Sequence, residues 1–192
     1  MIQQFAFNKS IVLGLSVITP FFVQDERGYF LKNYEKEIFF QHGIDYNIFE
    51  SFESYSAQGI VRGLHFQTDC PQAKIVRAVS GKIFDVAVDL RPNSTTFGKW
   101  EGFYLSDENK KSLLIPRGFA HGFLVLSPSA LVTYQCAGQY SKSTDSGIYW
   151  NDKDLAIAWP VADLSKVTVS ERDAKLQTFS EYVQKFHSGS RL

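Results

Sequence analysis

Between residues 48 and 140, apolar and polar positions alternate in short runs separated by turn residues. "KIVRAV", "KIFDVAVDL", "WEGFYL", "SLLIP", "GFLVL" and "ALVTYQC" each read as a strand. Ser80-Gly81, between the first two, is a hairpin signal. "RPNSTTFG" is a turn-rich loop. Strands at this spacing, with no helical pattern between them, predict an antiparallel sandwich or barrel. Upstream, residues 11–23 read as short strands broken near Pro20, and "DERGYF" as a turn about Gly28. "YEKEIFFQHG", 34–43, predicts a short helix ended by Gly43. Downstream, within "SERDAKLQTFSEYVQKF", Leu176, Phe179, Tyr182, Val183 and Phe186 recur at helical spacing. They predict one amphipathic helix, packed on the strands or on a neighbouring chain.

A period of two sorts the faces. In "KIFDVAVDL", Phe84, Val86, Val88 and Leu90 share one side, expected to be core or inter-sheet packing. Ile83, Asp85, Ala87 and Asp89 share the other, which carries two carboxylates. Lys74 lies with Val76 and Ala78, and His65 with Gln67. In "IVRGLHFQ", Arg62 and His65 interrupt an otherwise buriable strand. Polar groups gathered on one face of neighbouring strands fit a barrel with a polar-lined mouth better than a wholly apolar sandwich.

The 192 residues are 44% apolar, enough for one domain spanning 1–192 around a continuous core. Twenty basic and twenty acidic residues cancel. A neutral chain offers no electrostatic basis for broad nucleic-acid or membrane binding, so an anionic ligand must be held by a few placed cations. Cys70 and Cys136 are too few for a disulfide scaffold and read as free thiols in a reducing compartment. The N-terminus lacks a signal-peptide pattern, and 11–23 is too short to span a bilayer and contains Pro20. The expectation is a cytoplasmic protein. His65 is followed by Phe66 and Gln67, and His42 and His187 lie far off in the chain. No metal-ligand spacing is present, and no metal is expected.

"DERGYF", "RGLHFQ", "KIFDVAVDLRPNSTTFGKW", "LSDENKKSLLIPRGFAHGFLVLS" and "IYWNDKDLAIAWP" together resemble the dTDP-4-dehydrorhamnose 3,5-epimerase family, from about residue 10 to 175. The resemblance implies a mostly β, cupin-type antiparallel barrel, or jelly roll, with a short N-terminal helix and a C-terminal helix. It implies a homodimer without metal or organic cofactor. The implied activity is epimerisation at C3, C5 or both, beside the 4-keto group of a nucleotide-diphosphate 6-deoxy sugar.

That chemistry needs a base on one face of the sugar, donors at the enolate oxygen and an acid on the opposite face. By resemblance, His65 is the base and Asp173 its orienting partner. A lone histidine is more often a hydrogen-bonded core residue, but Arg62 on the same strand and the match of "RGLH" favour the base. Ser170 to Asp173 also has capping-box-like spacing, so Asp173 could instead serve the first turn of the C-terminal helix. Lys74 and His121 match the enolate-stabilising positions, against plainer readings as a snorkelling lysine and a packed ring. Asp85 could hold the Lys74 ammonium. Tyr134 matches the acid, and an ordinary phenol is protonated at neutral pH. Arg62 and Arg27 are the diphosphate candidates, with Arg27 reaching across a dimer interface, and Arg172 is a third. Tyr140 would stack on the pyrimidine, and Gln67, on the face of His65, joins the substrate-binding set.

The chain departs from the family pattern at Lys32, where a glutamate is usual, and at Glu50 and Phe52, where amides are usual. These departures bear on substrate choice. Two alternatives to epimerisation stand. One is a 3,4-ketoisomerase, which needs no acid on the far face. The other is a catalytically silent sugar-nucleotide-binding protein.

Overall fold

The computed structural model describes residues 4–187, the side chains of Phe186 and His187 excepted. Phe186, expected on the apolar side of the last helix, therefore lies outside the described side chains. In chain order the strands are β1 (Ala6–Lys9), β2 (Ser16–Thr19), β3 (Phe21–Asp25), β4 (Gly28–Lys32), β5 (Glu50–Ala57), β6 (Val61–Gln67) and β7 (Ala73–Ser80). They continue with β8 (Lys82–Asp89), β9 (Trp100–Ser106), β10 (Ser112–Ile115), β11 (Phe119–Val125), β12 (Ser129–Ala137) and β13 (Asp145–Gly147). Helix α1 (Lys36–Gln41) follows β4, and α2 (Phe179–His187) comes last.

The protein is mostly β. One sheet has the order β1-β2-β10-β7-β12-β5, a second has β13-β6-β11-β8-β9, and β3-β4 form a separate ribbon. The ladders within these sheets are antiparallel. The two large sheets face each other without joining into one hydrogen-bonded cylinder. Their shared core takes Val76, Ala78, Leu113, Val132 and Cys136 from the first sheet, and Ile83, Ala87, Leu105 and Phe123 from the second. A fully buried side chain of the size of Phe123 contributes about 2 kcal/mol through removal of apolar area from water.

Two expectations from the pattern are corrected, and a third is resolved between its alternatives. Ser80-Gly81 does not close a hairpin between paired strands, because β7 and β8 belong to different sheets. The turn is instead a corner. A Cβ on Gly81 (φ +77°) would lie 2.1 Å from the Ser129 carbonyl oxygen, so the chain passes from sheet to sheet against the start of β12. Next, the inter-sheet face of β8 is the one carrying Asp85 and Asp89. Phe84, Val86, Val88 and Leu90 point away from the other sheet, into a second core with Trp150, Leu155, Ile157, Trp159 and Tyr182. Both faces of β8 are thus buried. Alternation alone cannot show which apolar layer each face meets.

The C-terminal helix, in turn, does not run from residue 170. A 3-10 turn at Asp173–Lys175 is followed by extended Leu176. Gln177 then bridges to Ile148, and the helix starts only at Phe179. The Thr178 hydroxyl accepts from the Glu181 N–H (3.2 Å), and Glu181 accepts from the Thr178 N–H (2.7 Å). The capping box is therefore Thr178–Glu181, not Ser170–Asp173. Helix α1 is shorter than the 34–43 predicted. It seats Phe39, fully buried, with Ile18, Ile75 and Leu114 on the outer side of the six-stranded sheet.

Candidate active site

Arg62 and His65 stand three residues apart, which in a regular strand puts them on opposite faces. In the ladder between β6 and β11, His65 pairs with His121 and Arg62 pairs with Phe123. Three residues of β6 therefore span two of β11. This bulge turns both side chains to the inter-sheet side. The strands can approach so closely because glycines meet there. A Cβ on Gly63 (φ +124°) would lie 2.5 Å from the Gly122 Cα.

His65 Nε2 lies 2.7 Å from Asp173 Oδ1. The other oxygen, Oδ2, accepts from the Gly63 N–H (3.1 Å), and the Asp173 N–H donates to the Ser170 hydroxyl (3.0 Å). Asp173 is buried and His65 partly open. Burial pushes the Asp173 carboxyl up, but the hydrogen bond and charge of His65, with the Gly63 and Ser170 contacts, outweigh it. Its pKa ends below the usual carboxylate range. The stability from ionised Asp173 is accordingly complete above an ordinary carboxylate pKa of about 3.9, and it is lost as pH falls through the lower folded value. Thermal melts should show Asp173→Asn less stable than wild type at neutral pH, with the gap closing below about pH 4. A gap that widened there would contradict this arrangement.

Inner-face residues of both sheets surround His65. Across the first sheet, Glu50, Cys136 and Lys74 form one transverse row, and Phe52, Tyr134 and Val76 form the next. A cavity of about 370 Å³ is lined on this side by Glu50, Phe52, Gln72 and Lys74, and opposite by His65, Gln67, Tyr140, Asp145 and Arg172. An adjoining depression shares His65 and Arg172 and adds Arg62 and Asp173. The Arg62 Nε donates to the Ser56 hydroxyl (2.8 Å) on β5, bridging the two sheets beside the cavity.

Burial depresses the pKa of Lys74, against the pull of Cys136, Asp145, Asp85 and Glu50. The Cys136 thiol is pushed up to about 11 by burial despite Lys74, so it stays protonated at neutral pH. Asp85 is fully buried, and its Oδ1 lies 2.7 Å from His121 Nε2. Its direct partner is the His121 imidazole, not the Lys74 ammonium, and its Oδ2 has no protein partner. Tyr134 is buried beside the cavity-lining Phe52. Its ring lies face to face with Phe52, centroids 4.6 Å apart and planes 17° apart, and meets His121 edge-on at 6.0 Å. Burial raises its phenol well above the usual tyrosine range. Asp85 and Cys136 add to the rise, while Ser54 and Arg62 oppose it.

Around the mouth, Asp145 Oδ2 accepts from the Tyr140 hydroxyl (2.9 Å) and pairs with Arg172 (2.8 Å). Gln67 fastens the neighbouring loop. Its amide donates to the Cys70 and Gln139 carbonyls, and its oxygen accepts from the Ser141 N–H. The fold thus gathers His65, Asp173, Lys74, His121, Asp85, Tyr134, Gln67, Tyr140, Arg172 and Arg62 about one interior. Arg27 stands apart on the β3–β4 turn, 83% exposed at its side chain and paired with Asp25. Sequence reasoning passed over Gln72, whose amide bonds both Glu50 and the Gly138 carbonyl; nothing in its local pattern marks it. Among the described residues, no group of three His, Cys, Asp or Glu is placed to hold a metal ion, and no helix is long and apolar enough to cross a membrane.

Residues 9–181 match the family profile described as dTDP-4-dehydrorhamnose 3,5-epimerase. An enzyme of that name from Methanothermobacter thermautotrophicus strain Delta H is 45% identical over 178 residues, covering 93% of this chain and 96% of its own. The Escherichia coli K12 enzyme of that name is 42% identical over 171 residues, 88% and 91% of the two chains. Among solved structures, the Legionella pneumophila Philadelphia 1 dTDP-6-deoxy-D-glucose-3,5-epimerase, in complex with dTDP-4-keto-L-rhamnose, superposes with a TM-score of 0.87. It is 38% identical, and the match covers 91% of this chain and 93% of that one.

Proposed function

The chain belongs to the dTDP-4-dehydrorhamnose 3,5-epimerase family, and on that premise we propose that it epimerises C3, C5 or both in a dTDP-linked 4-keto-6-deoxy sugar. The observation that carries this reading is the Asp173-oriented His65 opening on the same cavity as Lys74, with Tyr134 packed against Phe52 of the opposite wall. With its Nε2–H held by Asp173, neutral His65 offers the Nδ1 lone pair to the proton beside the ketone. The C–H bond breaks and its electron pair moves to the carbonyl oxygen as an enolate. Lys74 and His121, the latter fixed by Asp85, donate to that oxygen. One such donor is worth on the order of 3 kcal/mol in the transition state. The Tyr134 O–H then delivers its proton to the opposite face of the carbon as the ketone reforms. Phenolate and imidazolium return to their resting states by exchange with water.

Arg62 and Arg172, on the adjoining depression, suit the diphosphate, and Tyr140 suits the base. We read the two facing sheets as an opened cupin-type jelly roll forming a single domain. The unpaired Cys70 and Cys136 agree with a reducing, cytoplasmic setting. The β3–β4 ribbon leaves Phe22, Val23, Tyr29 and Phe30 between 36% and 55% exposed. Such a patch is characteristic of a subunit contact. A homodimer in which this ribbon carries Arg27 to the neighbouring cavity accounts for both features. Sedimentation equilibrium should report a dimer, and a monomer at micromolar concentration would remove this part of the reading.

Proton NMR of dTDP-4-keto-6-deoxyglucose incubated with the protein in deuterated water tests the reaction. Deuterium should enter at the carbons flanking the ketone, with inversion. Migration of the keto group would mean a ketoisomerase, and absence of exchange a silent binder. Gly63→Ala should lower kcat/KM about a hundredfold, because pushing β6 off β11 displaces His65 by a fraction of its reach to substrate. Unchanged kinetics would show that the glycine contact does not set the position of the base.

A further inference from the structure

We propose that Phe52 is the positioning residue for Tyr134, setting how often a deprotonated carbon is reprotonated from the far face rather than returned to its starting configuration. The inference rests on the epimerase reading above. Phe52 and Tyr134 are Cα partners across β5 and β12, and their rings stack face to face at 4.6 Å. His121 closes edge-on against the same phenol at 6.0 Å. Tyr134 is 7% exposed, whereas Phe52 is 46% exposed and lines the cavity with His65 and Lys74. Phe52 thus packs on one face of the phenol ring at the edge of the cavity. Stacked rings prefer a narrow range of offsets. With Phe52 on its face and His121 at its side, the Tyr134 ring has one seat, and its hydroxyl one line of approach.

This matters for inversion and not for proton removal. His65, on the opposite sheet, is held by Asp173, which accepts in turn from the Gly63 N–H, and neither hydrogen bond involves Phe52. Every enolate formed therefore meets a choice. The imidazolium can return a proton to the face it came from, or Tyr134 can supply one from the other side. Each route ends with the ketone restored. A loosened phenol slows only the second.

The test compares wild type with Phe52→Leu, Phe52→Met and Phe52→Tyr on dTDP-4-keto-6-deoxyglucose in deuterated water. NMR counts deuterium entering substrate of unchanged configuration and substrate inverted at the same carbon. Loss of Phe52 should raise the ratio of exchange to inversion on the order of tenfold to a hundredfold, the scale of a misplaced reacting group. Phe52→Tyr, which keeps the stacked ring, should stay near wild type. Phe52 is partly exposed on an edge strand, so the substitutions are not expected to unfold the protein. The unbranched, adaptable Met variant keeps the comparison open if Leu impairs folding. A ratio unchanged in both Leu and Met variants, even with lower overall rates, overturns the proposal, because a merely structural or binding role slows both routes together. Wild type that neither exchanges nor inverts overturns the epimerase reading itself.

Discussion

His65→Asn is expected to abolish deuterium exchange and inversion together, with kcat falling on the order of 10³-fold, the range of a positioned general base. Asparagine is the sharper substitution. Asp173 is buried, and its Oδ1 bonds to the His65 ring at 2.7 Å. An asparagine amide can still donate to that oxygen, so the carboxylate keeps a partner and the variant keeps most of its stability. His65→Ala removes the donor as well. It should show the same kinetic loss plus a fall in stability of about 1–3 kcal/mol from a buried, unsatisfied acceptor. Urea unfolding and the NMR exchange assay separate the two effects. Persistent exchange in His65→Asn would mean that another group takes the proton, and the assignment of His65 would fall.

Tyr134→Phe should divide the reaction at its second half. Exchange at the carbon continues, because His65 and its support on the other sheet are intact. Inversion falls on the order of 10²- to 10³-fold, the loss of a positioned acid. Stability should change little, since the phenyl ring still fills the space between Phe52 and His121. Burial raises the Tyr134 pKa above the ordinary phenol value. The acid form therefore persists as pH rises, and wild-type inversion should not decline through loss of this proton below the normal tyrosine range. If Tyr134→Phe loses exchange and inversion in parallel, the phenol contributes to forming the enolate rather than to quenching it.

The two experiments bear on residues of unequal legibility. The β-strand texture from 48 to 140, the short first helix and a helix at the C-terminal end were readable from hydrophobic period and turn residues. So was family membership, because long ordered motifs such as "RGLHFQ" and "PRGFAHGF" survive in the one-dimensional string. What alternation could not reveal was which layer each face meets. Phe84 and Val86 read as core or inter-sheet packing, and they prove to be core under Trp150 and Trp159, while the Asp85 face looks across to the other sheet. The helix read from residue 170 begins at 179, because two distant partners act on the segment before it. Asp173 is engaged by His65 and the Gly63 N–H, and Gln177 joins a bridge to Ile148. A helical period records the apolar spacing and is blind to those partners.

By itself, then, the amino-acid order determined the strand-forming segments, the supply of acids, bases and cations, and the kinship that suggests their use. Only the tertiary structure decided that Arg62 and His65 share a face through a bulge, that Asp85 serves His121, and that Phe52 covers Tyr134. The physical reason lies in range. Alternation and capping act over a few neighbouring residues, whereas pairing register and ring contacts join positions some forty to more than a hundred residues apart, through packing that no local pattern encodes.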